Sequence, residues 1–221
     1  MTAAVTAIAR AAPITALTFD IGGTLVDAHE GRKRRLARAL GRDPAAIDDL
    51  YRRHFLTRGP AEDALGGLLA ELGEDGDDAR LEAAVAGAPV GLFADVLPAL
   101  TALSHLPLAV ISNCSAADRE LFEALEPAAR FEARIYSCDI GRAKPDPEPF
   151  EAACRALGVD AGGIVHVGDD PLGDVVGPAR LGWRTAYLSR DRRAPACPDA
   201  TWTIAGLMDL VPIVAACSAP A

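Results

Sequence analysis

The stretch Ile14-Thr-Ala-Leu-Thr-Phe-Asp20-Ile-Gly-Gly-Thr24 decides the fold class of this chain. Its first part is a short run of apolar and β-branched residues that stops at Asp20, and two glycines follow shortly afterwards. Such a run predicts a buried strand, and the glycines predict a tight turn directly after it. Because α/β proteins bind ligands beyond the carboxyl ends of their strands, Asp20 stands where chemistry is expected.

Downstream of residue 89, apolar runs alternate with helical patterns. Further strands are predicted at residues 108–111, 134–136, 164–167 and 185–188, with an edge strand at 201–204. Helices are predicted at residues 95–103, 116–125, 147–157, 173–181 and 206–216. Strands that alternate with helices form a parallel sheet covered on both faces, so the predicted fold class is α/β.

Residues 31–87 have a different pattern. Helical spacing with charged faces recurs there, and Gly and Pro breakers separate the segments. No strand pattern occurs in this stretch, which predicts an all-helical insertion of about four helices. The basic run at residues 32–35 is interpreted as a solvated face of one of these helices, with contact to an anionic substrate as the alternative.

Composition limits the classes of partner. The 221 residues are 50% hydrophobic and 24% charged, which is enough apolar material to bury a core, and they carry a net charge of −9. An acidic chain repels nucleic acid. We find no membrane-spanning run and no signal-peptide pattern, and the five separated cysteines predict neither disulfides nor a zinc site. We therefore expect a cytoplasmic protein without nucleic-acid or membrane partners; its oligomeric state is not predicted.

Polar side chains follow four of the predicted strands. In chain order they are Asp20, then Ser112 and Asn113, then Lys144, and finally Asp169, Asp170 and Asp174. Since parallel strands end at one edge of a sheet, we expect these groups to lie close together. The chain has only two lysines beside twenty arginines, and a compact ammonium suits a site that holds both a carboxylate and a phosphate.

This set of groups suits phosphoryl transfer through an aspartyl-phosphate. A carboxylate attacks phosphorus only when the repulsion between two anions is reduced, and Mg²⁺, which prefers oxygen ligands, reduces it. Asp169, with Asp170 and Asp174 close by, supplies acidic ligands. Backbone N–H groups of the turn at residues 20–24 would hold phosphoryl oxygens, together with Ser112, Asn113 and Lys144.

Four stretches resemble, in order and spacing, the motifs of the haloacid dehalogenase superfamily. They are Asp20-Ile-Gly-Gly-Thr-Leu25, Val110-Ile-Ser-Asn113, Lys144-Pro-Asp-Pro-Glu-Pro-Phe150 and His166-Val-Gly-Asp-Asp-Pro-Leu-Gly-Asp174. The resemblance runs from about residue 14 to residue 188. It implies a Rossmann-like core of residues 1–26 and 90–221, with a mobile helical cap of residues 27–89 that closes over the site.

The resemblance also implies a function for individual residues. Asp20 would be the nucleophile, and Lys144 would bridge it to the phosphate. Mg²⁺ would be bound by Asp20, the Gly22 carbonyl and Asp169, and Asp174 would support the metal site. The phosphate would be bound by Gly23, Thr24, Ser112, Asn113 and Lys144. The implied activity is hydrolysis of a small phosphorylated metabolite.

Gly22 departs from the family pattern. Phosphatases that resemble this family usually have a second aspartate there, which protonates the leaving group and then activates water. General acid–base catalysis typically contributes about 10²–10⁴-fold, so its loss matters, although a metal site needs only the backbone carbonyl. Such a phosphatase would be slow, would prefer good leaving groups such as acyl or aryl phosphates, or would use another donor, with Asp27 and His29 as candidates.

Three other functions stay open from the sequence. The first is different chemistry in the same family, either dehalogenation or cleavage of a carbon–phosphorus bond. Asp169, Asp170 and Asp174 argue against dehalogenation, because dehalogenases that resemble this family tend to lose acids of the fourth motif. The single cap lysine, Lys33, lies in a basic run and argues against carbon–phosphorus cleavage through a Schiff base. The remaining two are non-catalytic binding of a phosphometabolite and a phosphotransferase in which hydrolysis is suppressed.

Overall fold

A computed structural model describes residues 13–27, 31–58, 63–74, 79–86, 90–191 and 197–218. Its strands are β1 (Ala16–Phe19), β2 (Val26–Asp27), β3 (Gly91–Leu92), β4 (Leu108–Ser112), β5 (Ala133–Tyr136), β6 (Ile164–Gly168), β7 (Arg184–Leu188) and β8 (Trp202–Ile204). Six of them form one parallel sheet in the order β5-β4-β1-β6-β7-β8, and β2 pairs antiparallel with β3. The predicted α/β class with a parallel sheet is confirmed.

Helices connect these strands. They are α1 (Arg32–Ala39), α2 (Asp48–Tyr51), α3 (Ala64–Leu72), α4 (Ala79–Val85), α5 (Val96–Ala102), α6 (Ala116–Glu123), α7 (Ser137–Ile140), α8 (Glu148–Leu157), α9 (Gly177–Ala179) and α10 (Leu210–Ser218). A 3₁₀ segment, Pro44–Ile47, and a π-helical segment, Arg52–Leu56, flank α2, and the π-helical segment Pro171–Val176 leads into α9. None of the helices in the described part of the chain has the length and apolar character needed to cross a membrane.

β1 lies at the centre of the sheet and is buried along its whole length. It pairs with β4 on one side and with β6 on the other, so that Thr18 lies beside both Ala109 and His166. Alternate residues point to opposite faces of a strand, and here both faces are covered. Leu17 and Phe19 belong to the main hydrophobic core, whereas Ala16 packs into a second cluster on the other face. The loop that carries Asp20 therefore starts from a rigid support.

The helical insertion between β2 and β3 has a hydrophobic cluster of its own. That cluster includes Leu36, Ile47, Tyr51, Phe55 and Leu68, separate from the cores beside the sheet. Within the described residues, α1, the run from Pro44 to Leu56, α3 and α4 correspond to the four predicted helical segments. The sequence pattern did not predict the small sheet of β2 and β3, because strands of two residues are too short to show alternation.

Phe150 on α8 anchors that helix to the sheet. The side chain is fully buried, and its ring makes edge contacts with Trp183, at 5.4 Å between centroids, and with His166, at 5.7 Å. We predict that Phe150→Ala lowers the free energy of unfolding by about 3–5 kcal/mol, because it opens a cavity in a packed core. Urea denaturation measures this change.

The control is Met208→Ala, at a side chain that is 44% exposed. We expect this variant to stay within about 0.5 kcal/mol of the wild type. A loss below about 1 kcal/mol for Phe150→Ala would contradict the packing described for this face of the sheet.

Candidate active site

The loops that follow β1, β4, β5 and β6 meet at the carboxyl edge of the sheet. Lys144 Nζ donates hydrogen bonds to Asp20 Oδ1 at 2.7 Å and to Asp174 Oδ1 at 2.5 Å. Ser112 Oγ donates to Asp20 Oδ1 at 3.2 Å. Carboxylate oxygens of Asp20, Asp169 and Asp174 lie within 4.8 Å of one another. The structure thus brings these five side chains together, as the sequence analysis expected. The Asp170 carboxylate instead accepts hydrogen bonds from the N–H groups of Leu172 and Gly173.

Negative charge is in excess in this cluster, where three carboxylates surround the single ammonium of Lys144. Burial raises the pKa of Asp20 to about 6, with Lys144 opposing the shift and Asp174 adding to it. Asp169 reaches the surface, yet partial burial and the charge of Asp20 raise its pKa to about 7. At Asp174, burial is outweighed by Lys144 and His166, which hold its pKa well below the usual range. A divalent cation would relieve this excess of charge.

His166 supports Asp174 from inside β6. Its Nε2 lies 3.1 Å from Asp174 Oδ1, and its Nδ1 lies 2.8 Å from Thr18 Oγ1. Burial lowers the pKa of the imidazole despite the hydrogen bond to Asp174, so the ring is neutral at pH 7. The neutral ring donates to Asp174 and accepts from the Thr18 hydroxyl. Together with the Asp170 N–H, which donates to Asp174 Oδ2 at 3.0 Å, it fixes the orientation of Asp174.

Two side chains, those of Asn113 and Arg52, hold the backbone of the loop that carries Lys144. Asn113 Nδ2 donates to the Lys144 carbonyl at 2.8 Å, and Asn113 Oδ1 accepts from the Lys144 N–H at 2.7 Å. Arg52, from the insertion, donates to the carbonyls of Lys144 at 3.2 Å and Ala143 at 2.9 Å, and to Asp146 Oδ2 at 2.6 Å. The predicted phosphate contact of Asn113 stays a prediction. Arg52 belongs to none of the four motifs and was missed.

The turn after β1 depends on Gly23. Its φ is +76°, and a Cβ there would lie 2.2 Å from Asp169 Oδ2, so only glycine fits. Gly23 N donates to Val26 O at 2.9 Å and Thr24 N to Ile21 O at 3.3 Å, so these amides close the turn in this structure. The Thr24 hydroxyl is buried and has no partner among the described residues. Phosphate contacts of Gly23 and Thr24 stay predictions.

Gly22 faces open space, because a Cβ added there would meet no atom within 4 Å. A cavity of about 290 Å³ lies beside it, between the helical insertion and the sheet. Tyr51 and Leu56 line this cavity from the insertion, and Leu121 and Phe122 line it from α6. The position at which the family resemblance leads us to expect an acid therefore has no side chain, and a Cβ there would have room.

Residues 14–182 match the family model of the haloacid dehalogenase-like hydrolases. The chain belongs to this family. Membership makes it a hydrolase, and it confirms the resemblance of the four motifs. The curated relatives that match this hydrolase are phosphatases.

One curated relative is the validoxylamine A 7'-phosphate phosphatase of Streptomyces hygroscopicus subsp. limoneus. It is 28% identical over 194 residues, which cover 82% of this chain and 89% of the relative. Among solved structures, the 2-haloacid dehalogenase of Pseudomonas syringae pv. Tomato is 29% identical with a TM-score of 0.66, covering 93% of this chain and 100% of that one. A haloacid dehalogenase superfamily phosphatase of Thermococcus onnurineus shares the fold, at 21% identity, a TM-score of 0.63 and coverage of 90% and 97%.

An ion pair joins the insertion of this hydrolase to its sheet domain. Arg32 donates to Asp118 of α6 through Nη2 at 2.6 Å and Nε at 3.3 Å, and the Arg32 side chain is only 4% exposed. Asp118 also accepts from the Ser115 hydroxyl in the capping box of α6. The interpretation of Arg32 as part of a solvated helix face is therefore wrong. Its partner is distant in sequence, so the local pattern did not reveal the burial.

The Arg32–Asp118 pair generates a prediction about stability. Burial opposes the charge of Asp118, but Arg32 outweighs it and holds the pKa of Asp118 below its ordinary value. We predict that Asp118→Asn lowers the free energy of unfolding at pH 7 by about 1–3 kcal/mol, because Arg32 is left buried without its counter-ion. Urea denaturation at pH 7, 5 and 3 measures the difference between variant and wild type.

The sign of the pH dependence follows from the lowered pKa. The stabilisation is present above the unfolded-state pKa of about 3.9 and is lost as the pH falls through the folded-state value. The difference between Asp118→Asn and wild type should therefore shrink between pH 5 and pH 3. Asp139→Asn, at a surface pair with Arg119, is the control and should cost under about 1 kcal/mol. An Asp118→Asn difference as large at pH 3 as at pH 7 would refute the assignment.

Proposed function

We propose that this hydrolase cleaves phosphate monoesters of small molecules in a Mg²⁺-dependent reaction that phosphorylates Asp20. The position of the Asp20 carboxylate carries the proposal. It lies 2.7 Å from the Lys144 ammonium and within 4.8 Å of the other two carboxylates of the cluster. A buried carboxylate with a cation beside it is the arrangement that an attack on a phosphate dianion requires.

The acidic cluster fits a magnesium ion. Carboxylate oxygens are the ligands that Mg²⁺ prefers, and burial together with the charge of neighbouring carboxylates raises the pKa values of Asp20 and Asp169. The ion would be held by Asp20, Asp169 and the Gly22 carbonyl. Both oxygens of Asp174 already accept hydrogen bonds, so this residue would support the site. When bound, the ion reduces the repulsion between the carboxylate and the phosphate.

The side chains of the site have separate functions in the proposed reaction. A carboxylate oxygen of Asp20 forms a bond to phosphorus while the bond from phosphorus to the ester oxygen breaks, and the leaving oxygen takes a proton from water and departs as the alcohol. Lys144 and Ser112, which contact Asp20 in this structure, stabilise the charge on the phosphoryl oxygens as it shifts. Water then attacks the phosphorus of the acyl phosphate, which releases inorganic phosphate and restores the carboxylate.

Residues 27–89 are proposed to act as a cap on a core formed by residues 1–26 and 90–221. Two features support this division: the hydrophobic cluster inside the insertion and the ion pairs that attach it to the core. Those pairs are Arg32–Asp118 and Arg52–Asp146, both at 2.6 Å. A cap over Asp20 excludes water, which strengthens the electrostatic interactions inside the site.

Hydrolytic dehalogenation at Asp20 is the second candidate. The structural likeness at 29% identity to a protein named 2-haloacid dehalogenase favours it, as does the absence of an acid at Gly22. Displacement of a halide from carbon involves no phosphate dianion, so it does not require a metal ion to reduce repulsion. A cluster of three carboxylates that could bind such an ion therefore has no function in dehalogenation. The acidic cluster of Asp20, Asp169 and Asp174 therefore favours the phosphatase.

Replacement of the nucleophile tests the proposal. We predict Mg²⁺-dependent phosphate release from a panel of phosphorylated metabolites, and a loss of more than about 10³-fold in Asp20→Asn. Removal of the metal with EDTA should produce a similar loss. Asp160→Asn, at an exposed carboxylate far from the cluster, serves as the matched control and should retain full activity.

The same assay separates the alternatives. Phosphate release by Asp20→Asn at the wild-type rate would exclude Asp20 as the nucleophile. Release of halide from 2-chloropropionate without any phosphate release would support dehalogenation. A stable phospho-protein without turnover would support a phosphotransferase, and thermal protection by a phosphorylated ligand without turnover would support a binding protein.

The vacancy at Gly22 generates the next prediction. A Cβ there meets no atom within 4 Å, so Gly22→Asp should raise turnover of alkyl phosphates by about 10²-fold through general acid catalysis. Gly22→Asn adds the same volume without an acid and is the control. Turnover unchanged in Gly22→Asp would show that another group already donates the proton. Of the two donors suggested by the sequence, Asp27 ends β2 and His29 lies outside the described residues.

A further inference from the structure

The walls of the cavity beside Gly22 are largely apolar. The ring of Tyr51 comes from the insertion, where it stacks on Phe55 with centroids 4.7 Å apart and planes at 11°, and the ring of Phe122 comes from α6. Aliphatic side chains fill much of the remaining wall, namely Ile21, Val26, Leu56, Val90 and Leu121. A group that occupies this space is surrounded largely by apolar side chains from the insertion and from α6.

The charged side chains and the amide in these walls are already engaged with other protein groups. Arg32 and Asp118 pair with each other, and Lys33 pairs with Asp48. The amide of Asn113 is bonded to backbone in the loop after α7. A sugar or polyol in the cavity would therefore bury hydroxyls against apolar walls. An apolar pocket disfavours one added hydroxyl by up to about 10²-fold, so several hydroxyls are strongly disfavoured.

The volume of the cavity limits the size of the group that it can hold. Its volume is about 290 Å³. A dry cavity of about 150 Å³ holds one benzene molecule, so this cavity holds one or two fused rings. Larger ring systems would require the insertion to move away from α6.

The absence of a general acid at Gly22 also favours an aromatic leaving group. With no side chain at this position to donate a proton, the leaving group departs most easily as a stable anion. A phenol ionises near pH 10, as tyrosine does, whereas an aliphatic alcohol is closer to water at about 15.7. A phenoxide is therefore the better leaving group in a site without a general acid.

We propose that the substrate is an aryl phosphate, the phosphate monoester of a phenol with one or two rings and few hydroxyls. This inference rests on the proposed phosphatase function. The Asp20 carboxylate displaces the phenoxide from phosphorus, giving the acyl phosphate and a free phenoxide, which takes a proton from water. A second water then converts the acyl phosphate to inorganic phosphate and the carboxylate. The aromatic ring lies in the cavity beside Gly22 throughout.

A titration that needs no turnover tests binding of the ring. Calorimetry with Mg²⁺ and the wild-type protein compares benzylphosphonate with methylphosphonate, which share the charged group and differ in the ring. Burial of a phenyl group should make benzylphosphonate bind about 10–100-fold more tightly. Equal or weaker binding of benzylphosphonate would overturn the inference.

Kinetics test the cavity itself. Leu121→Trp should fill it and lower kcat/KM for 1-naphthyl phosphate by at least about tenfold, with acetyl phosphate changed less than about threefold. Leu97→Trp, at a 37% exposed leucine of α5, is the matched control and should change neither value.

Three kinetic outcomes decide between the proposals. Equal losses on both substrates in Leu121→Trp, or wild-type hydrolysis of glycerol 3-phosphate as efficient as that of phenyl phosphate, would overturn the aryl inference alone. Absence of phosphate release from every compound, acetyl phosphate included, would overturn the phosphatase function. In that last case the phosphonate titration still decides whether the cavity selects an aromatic ring.

Discussion

The buried ammonium of Lys144, shared between Asp20 and Asp174, is the interaction on which the site depends. Its Nζ lies 2.7 Å from one carboxylate and 2.5 Å from the other, and its side chain is only 3% exposed. Loss of one partner of a buried pair leaves an uncompensated charge, which is strongly unfavourable. The surrounding hydrogen bonds serve to keep this geometry: Asn113 fixes the Lys144 backbone, and His166 fixes Asp174. The site is thus held rigid before any ligand arrives.

The same site is short of positive charge and open on one side. The pKa values of Asp20 and Asp169 are raised to about 6 and about 7, mainly by burial, which marks a place that favours a cation. The open side is at Gly22, which has no side chain and where a Cβ would meet no atom within 4 Å. Beyond Gly22 lies the apolar cavity, with Tyr51 and Phe122 in its walls. The excess of negative charge, the missing side chain at Gly22 and the apolar cavity together support our proposal of a phosphate ester with a good, apolar leaving group.

The sequence predicts the sheet and the main site residues because each depends on local pattern. The runs before Asp20, Ser112 and Gly168 are short and apolar, which predicts buried strands. The polar residues of the site come at or directly after the ends of these strands. The buried state of Arg32 and the contact of Arg52 with Lys144 depend instead on partners 86 and 92 residues away. Those contacts depend on the position of the insertion relative to the core, and helical periodicity in the sequence does not predict that position. Two-residue strands such as β2 and β3 likewise have no detectable period.

The proposed reaction requires that a carboxylate oxygen of Asp20 becomes phosphorylated. The most direct measurement is a crystal structure of the protein grown with Mg²⁺ and beryllium fluoride, which mimics a phosphoryl group on a carboxylate. We predict a beryllium fluoride adduct on a carboxylate oxygen of Asp20, in contact with Lys144, and Mg²⁺ bound to Asp20 and Asp169. An unmodified Asp20, or an adduct on a different residue, would contradict the account.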